Sequence, residues 1–330
     1  MLHAVARGSR GGVRVPGGTA LLAALLAVTV ASRVCAEPIA VIADLKGKVE
    51  VTAKGGAAQR AGVGRPLERG DQVKVASGGA ATLFFSDGNV LELAQGSSVK
   101  VGGQIGKSAK PGVPGDVFKS VSKFVAGGSR ETGLVALSQL RSGPVGGDAP
   151  FLIAPRRTAL LADRPTFSWR AVPGATRYQV TLSSAESGEL WHREVTGLTL
   201  AFPAEATALA GSTEYLWEIQ AFSDAKALRT ESSVFQVLPA AEAAAVRLNL
   251  GRIAESTGGA ESPAARFLAG SYLSGLGLYL DASEQFGALS KLDPGAPEPH
   301  KALGDVYSSV GLMDLAAAEF QMALSLKREP

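Results

Sequence analysis

Residues able to do chemistry are few along this chain, and their spacing sets none of them to work together. His192 falls in an expected strand and His300 opens an expected helix, far apart in sequence. Two scattered histidines make neither a metal site nor a proton relay, so each reads as an ordinary surface residue. Ser97-x-x-Lys100 and Ser120-x-x-Lys123 have the spacing of a serine/lysine acylase pair, but the KTG and SDN-type companions are absent. Arg69-Gly70-Asp71 spells an adhesion tripeptide, yet its Gly-Asp is accounted for by a turn into a strand. Asp281 and Glu284 stand one helical turn apart, where a solvated face is the default reading of paired carboxylates. No phosphate loop and no Gly-x-Gly-x-x-Gly fingerprint occurs. The chemistry therefore points away from an enzyme, and no cofactor or metal is expected.

The elements around these residues are many. A chain of 330 residues exceeds what one core usually serves, and 40 Gly with 17 Pro indicate numerous turns in a sequence whose apolar content, 46%, is too high for general disorder. The formal charge of +3 is carried by the N-terminus: Arg7, Arg10, Arg14 and Arg33 lie in a stretch without acids, and taking them from 33 leaves 29 cations against 30 acids. A nucleic-acid footprint is thereby excluded. The same stretch has the parts of a secretory signal: an Arg-bearing start, an apolar run from Ala20 to Ala31, and Val34-Cys35-Ala36 before Glu37. Cleavage is expected after Ala36, giving residues 1–36 as a signal peptide. The run falls below the roughly 18 residues of a membrane span. Cys35 is the single cysteine and would leave with the signal, so no disulfide or thiolate is expected in the exported chain.

The stretch Leu67–Leu93 alternates apolar and polar residues between Gly-Asp, Gly-Gly and Asp-Gly breaks, the pattern of half-buried strands. Asp87-Gly88 predicts a two-residue hairpin between Leu83-Phe84-Phe85 and Val90-Leu91-Glu92-Leu93. With the strands before and after, residues 37–102 form an expected small β sandwich or roll, whose core is Val49, Val51, Val73, Val75, Leu83 and Phe85, with Leu91 and Leu93. Gly70-Asp71-Gln72-Val73, Ala80-Ala81-Thr82-Leu83, Asp87-Gly88 and Leu91-Glu92-Leu93 resemble the FecR-like domain of bacterial envelope proteins. That resemblance implies export to the periplasm or envelope. A full-length domain of this kind continues into further strands, whereas this chain turns to a Gly/Lys/Pro-rich passage.

Residues 103–150 read as linker with a short amphipathic helix over Asp116–Val125, whose Val117, Phe118, Val121, Phe124 and Val125 share one stripe, with Asp116 as its cap. It is expected to pack on a sheet; a surface helix for lipid or a partner is the alternative. Alternation returns over 151–239. Trp169, Tyr178, Val180 and Leu182, then Tyr215, Trp217 and Ile219, point inward in an all-β unit that resembles an immunoglobulin or fibronectin type III sandwich. An exposed aromatic platform for sugars is the competing reading of those rings.

Over 240–330 the period becomes helical. Ala240 to Ile253 is an Ala-rich helix former, and from Pro263 residues recur at a spacing of 34: Gly270 with Gly304, Gly277 with Gly311, Ala282 with Ala316, Phe286 with Phe320. This resembles two tetratricopeptide repeats, departing from the pattern at Arg266, His300 and Arg328. The fold class expected is thus two all-β units followed by a helical hairpin pair, a string of three folded units. Because two repeats are marginal alone, the hairpins are expected to pack on the sandwich or on another chain. The resemblance places Phe267, Ser271 and Ser274 of the first repeat on a concave partner-binding face, joined by Glu298, Lys301, Asp305, Ser308 and Ser309 of the second. Lys301 and Asp305, at i and i+4, either satisfy each other or grip a peptide carboxylate and amide. The function expected is an exported, non-enzymatic binding or scaffold protein that contacts an envelope protein or peptide through this groove. Binding of cell-wall glycan (peptidoglycan) is the alternative. FecR-type signalling is a further one, which needs a membrane span and a cytoplasmic segment that the short N-terminal run does not supply.

Overall fold

The structure is a computed structural model that describes residues 37–102, 113–127, 149–224 and 226–327. The expected signal peptide, most of the linker, and Arg328 lie outside the described residues. Eight short strands build the first unit: β1 (Ala40–Lys46), β2 (Val49–Thr52), β3 (Ala58–Arg60), β4 (Pro66–Leu67), β5 (Gln72–Val75), β6 (Ala80–Phe85), β7 (Val90–Leu93) and β8 (Ser98–Lys100). They pair antiparallel in two sheets of order β4-β1-β6-β7 and β3-β2-β5-β8. Ile42, Leu83 and Phe85 of one sheet meet Val49, Val51, Val73 and Val75 of the other in a single core. Alternation explains this inner layer.

The β6–β7 hairpin is longer than its Asp-Gly suggested. Phe85 N–H donates to the Asn89 carbonyl, which leaves three residues in the loop, and Asp87 Oδ1 accepts from the Asn89 N–H. Gly88 is required twice over: its φ is +84°, and an added Cβ would fall 1.8 Å from the Val113 carbonyl oxygen. Arg69-Gly70-Asp71 is likewise a turn, with Asp71 buried and its Oδ2 accepting from the Glu68 N–H.

Sheet β4-β1-β6-β7 is apolar on both faces, and the sequence run Leu83-Phe84-Phe85 is the reason. Phe84, with Val41, Ala43 and Val90, turns away from the first core and is buried beneath helix α1 (Gly115–Gly127). The Phe84 and Phe118 rings lie 5.5 Å apart. The helix begins at Gly115, so Asp116 stands inside its first turn, where a carboxylate suits the helix dipole.

The second unit holds β9 (Leu152–Ala154), β10 (Thr158–Leu160), β11 (Thr166–Trp169), β12 (Arg177–Ser184), β13 (Gly188–Val195), β14 (Thr199–Ala201), β15 (Glu214–Ser223) and β16 (Lys226–Val237). Its sheets run β10-β16-β15-β12-β13 and β14-β11-β9, with β10 parallel to β16. Trp169, Tyr178, Val180, Leu182, Tyr215, Trp217 and Ile219 are all buried between them. Phe167 sits among Trp191, Trp217 and Phe235 at centroid distances of 5.0 to 6.2 Å. Trp217 donates its indole N–H to the Pro155 carbonyl. With all three tryptophans buried, the rings form a core and not a surface platform for sugars.

Five helices follow: α2 (Ala240–Ser256), α3 (Pro263–Gly275), α4 (Tyr279–Leu292), α5 (Pro297–Ser309) and α6 (Met313–Leu326). Ser262 caps α3 by accepting from the Ala265 N–H, with Pro263 at the first helical position. The short links between α3 and α4 and between α5 and α6 fold each pair into a hairpin. The in-phase glycines and phenylalanines have one physical cause: a Cβ at Gly270 would lie 2.7 Å from the Phe286 ring, and one at Gly304 2.5 Å from the Phe320 ring. Where the pattern departs, new partners occur. Arg266 bonds Gln285 across the first hairpin and Glu261 beside it, and His300 Nδ1 lies 2.7 Å from Glu319 Oε2 across the second.

The three expected units are not strung out: the hairpins pack on the sandwich, as expected, and on the first unit as well, so that Glu37–Pro330 forms one compact unit. Helix α1 is the reason on one side, since Val117, Phe118 and Val121 share a core with Phe84 of the first sheet and with Phe267, Leu268 and Phe286 of the helices. The Phe124 ring stacks on Phe286 at 5.4 Å. On the other side the sandwich grips the helices by polar contacts. Thr158 Oγ1 accepts from the Tyr279 N–H, the Ala159 N–H donates to Gly277, and Arg156 donates to the Val310 carbonyl while pairing with Glu231 at 2.6 Å. The marginal hairpin pair is thus covered from two directions.

Candidate functional site

Helix α5 carries most of the residues singled out for binding, and its Pro297 start sets their phase. Glu298, Lys301 and Asp305 fall on one face, four residues or fewer apart. They line a cavity of about 420 Å³, closed by Phe267 of α3, Phe124 of α1 and Leu324 of α6. The Gly62–Pro66 segment, which leads from β3 into β4, supplies a further wall, so the first β unit and the helices build the cavity together.

The same packing hides part of the expected face. Phe267, Ser271 and Ser274 are only 4, 0 and 6% exposed. They lie on α3, the helix that α1 packs against: a Cβ at Gly275 would come within 2.5 Å of the Ser120 carbonyl oxygen. The concave face of the first hairpin is therefore not an open groove, because the chain's own helix covers it. Phe267 still contributes its ring to the cavity wall. Ser308 is buried as well, and Ser309 is exposed with its hydroxyl donating to the Asp305 carbonyl of its own helix. Of the eight residues, Phe267, Glu298, Lys301 and Asp305 are brought together.

Burial dominates the electrostatics. It pushes the Asp305 carboxyl up to about 6, against the opposing pull of Lys301, whose ammonium reaches Oδ2 at 2.9 Å. Oδ1 of Asp305 is buried without a hydrogen-bond partner. Burial also raises Glu298, opposed by Lys327 and Arg60. Outside the cavity, burial lifts Asp281 to about 6, with the like charge of Glu284 adding to the shift and the Leu161 N–H and Arg247 opposing it. That carboxyl sits where α4 meets the sandwich, so it belongs to an interface and not to a solvated face. Burial raises Asp44 on β1 too, with Asp293 nearby.

The cavity lining offers no histidine, cysteine or serine beside its two acids. The hydroxyl of Ser120, from one of the serine/lysine spacings, is taken up by the Asp116 carbonyl. Among the described residues no three His, Cys, Asp or Glu side chains gather as a metal-binding group, and no helix is long and apolar enough to cross a membrane. The arrangement is suited to holding an apolar group beside charges. Sequence reasoning missed Phe124, Phe320, Leu324, Lys327 and the Gly62–Pro66 segment. The segment carried a signal in Gly62-Val63-Gly64, which allows close approach: a Cβ at Gly62 would lie 2.8 Å from Glu298 Oε1, and one at Gly64 3.1 Å from the Phe267 ring.

No protein-family model matches the chain, and no curated protein matches it. Among solved structures it is similar to the fn3 domain of human collagen alpha-1(XX) chain, at 18% identity over 30% of this chain and 95% of that one, with a TM-score of 0.23. A Fn3-like protein from Clostridium thermocellum is similar at 20% identity over 27% of this chain and 95% of that one, with a TM-score of 0.20. A multi-domain immunophilin from Arabidopsis thaliana is similar at 9% identity over 54% of this chain and 100% of that one, with a TM-score of 0.21. Fn3-like β domains are thus found among the structural neighbours, and the sandwich itself is defined by its own strand pairing.

Proposed function

We propose that this chain is an exported, non-enzymatic binding or scaffold protein of the bacterial cell envelope. On this reading its parts are a FecR-like β unit, a fibronectin type III-like sandwich and two tetratricopeptide-like hairpins. The observation that carries the reading is the cavity at Glu298, Lys301 and Asp305, apolar in its walls, charged at its edge and without a reactive set of side chains. Pockets of a few hundred cubic ångströms with a small number of placed polar groups are the usual form of a binding site. The partner is an envelope protein or peptide, and the N-terminal stretch to Ala36 serves as the export signal.

Affinity capture from an envelope extract tests this. The intact protein is compared with Leu324→Glu, a change on an exposed side chain at the cavity mouth. A defined set of partners lost with the variant is the expected result. An identical partner set for both forms, or turnover of an envelope substrate by the intact protein, would overturn the proposal.

A further inference from the structure

We infer that the cavity takes a peptide bearing a large apolar side chain next to an acidic residue, held jointly by the Gly62–Pro66 segment of the first β unit and by α5 and α6. The inference rests on the binding role just proposed and names the chemistry of the partner. Phe124, Phe267, Phe320, Ala302, Ala323 and Leu324 make the walls apolar, so a large apolar side chain is the natural filling.

Charge decides what stands beside it. Lys301 and Asp305 offset each other as a bonded pair, which leaves Arg65 and Lys327 against Glu298 at the edge of the same cavity. The surplus is positive and fits a carboxylate on the ligand. A third requirement comes from Asp305, which is 5% exposed and whose Oδ1 has no partner. A buried acceptor of this kind calls for a hydrogen-bond donor set beside the apolar filling. A fatty acid brings the apolar group and the charge but no donor, and the hydroxyl or ammonium donors of an anionic lipid sit on its headgroup and not beside its apolar chain. A peptide brings all three, and its backbone amide is the donor.

The second part, joint holding, follows from which elements own the cations. Arg65 belongs to the β unit, its guanidinium anchored on the Arg60 carbonyl and on Gln59 at 3.5 and 3.3 Å. Lys327 follows α6. A ligand carboxylate placed between them contacts both units at once.

A random nonapeptide phage library panned on the full exported chain tests the inference, followed by fluorescence anisotropy on the enriched peptides. Enrichment of sequences with an aromatic or large aliphatic residue beside Asp or Glu is expected. Arg65→Glu and Lys327→Glu should each weaken binding at least about fivefold. N-methylation of the amide at the apolar residue should do the same. Circular dichroism of the two variants, both changes on the surface, checks that the fold is kept. Peptides that bind and respond to Leu324→Glu but not to Arg65→Glu would keep the binding role and overturn joint holding. Enriched peptides that are basic or lack acids would overturn the ligand chemistry. Binding of phosphatidylglycerol vesicles with no peptide enrichment would overturn the inference in favour of a lipid.

Discussion

Replacing Phe118 by alanine should loosen parts of the protein that Phe118 never touches. Its side chain is buried on α1, packed 5.5 Å from Phe84 of the first sheet, in the same core as residues of the hairpins. A large-to-small change of this kind costs about 3 to 5 kcal/mol, the lost transfer of the ring plus the cavity it leaves. With a urea slope of about 3 kcal/mol per molar for a chain this size, the midpoint should fall by about 1 M or somewhat more. The readout is the tryptophan fluorescence transition, because Trp169, Trp191 and Trp217 all lie in the second sandwich, whose core does not contain Phe118. Far-UV circular dichroism follows the helices in the same samples. If the described residues unfold as one body, both transitions coincide in the wild type and both shift together in the variant. A fluorescence midpoint left in place while the dichroism transition moves would refute the shared core and restore three independent units.

Three further outcomes follow from particular groups. Asp281 and Asp305 are raised by burial to about 6 from 3.8, so the stability they contribute is fully present below about pH 4 and is lost as pH rises through 6. The protein should therefore melt higher at pH 5 than at pH 7.5, by about 1.4 kcal/mol per group in stability, and Asp281→Asn should flatten that slope; a melting temperature that rises from pH 5 to 7.5 would contradict it. Arg156→Ala removes one member of a largely buried pair and leaves Glu231 charged in its site, for a loss of about 3 kcal/mol in urea titration, and a loss within about 0.5 kcal/mol would show the pair to be solvated. Gly88→Ala should prevent the first β unit from folding normally, since its Cβ meets Val113 at 1.8 Å, whereas Gly55→Ala, at φ +74° with open space around it, should cost only about 1 kcal/mol. Similar melting curves for those two variants would sink the close-approach reading of Gly88.

Local pattern carried the inner layers of this fold and stopped at its interfaces. Alternation identified Leu83 and Phe85 and said nothing of Phe84 between them, because a period of two reports one face of a strand and the second face is covered by α1, more than twenty residues later. The apolar stripe of α1 was legible from Val117, Phe118 and Val121. Its packing on a sheet was expected as well; that its other side meets α3 was not, since two-sided burial is a property of the neighbours. The same fact decided the site. Repeat phase found Glu298, Lys301 and Asp305, but it also placed Ser271 and Ser274 on an open face that α1 covers. The Gly62–Pro66 wall comes from a part of the sequence more than two hundred residues away. Spacing within one helix cannot show such a partner.

Photo-crosslinking in living cells bears most directly on a binding role for the cavity. A photoreactive residue is placed at position 324, at the cavity mouth, and separately at position 190, an exposed leucine on the sandwich. A discrete crosslinked protein from position 324, absent from position 190 and abolished by Lys327→Glu, is the predicted result. The same adducts from both positions, or none from position 324 while the protein is folded and exported, would contradict it.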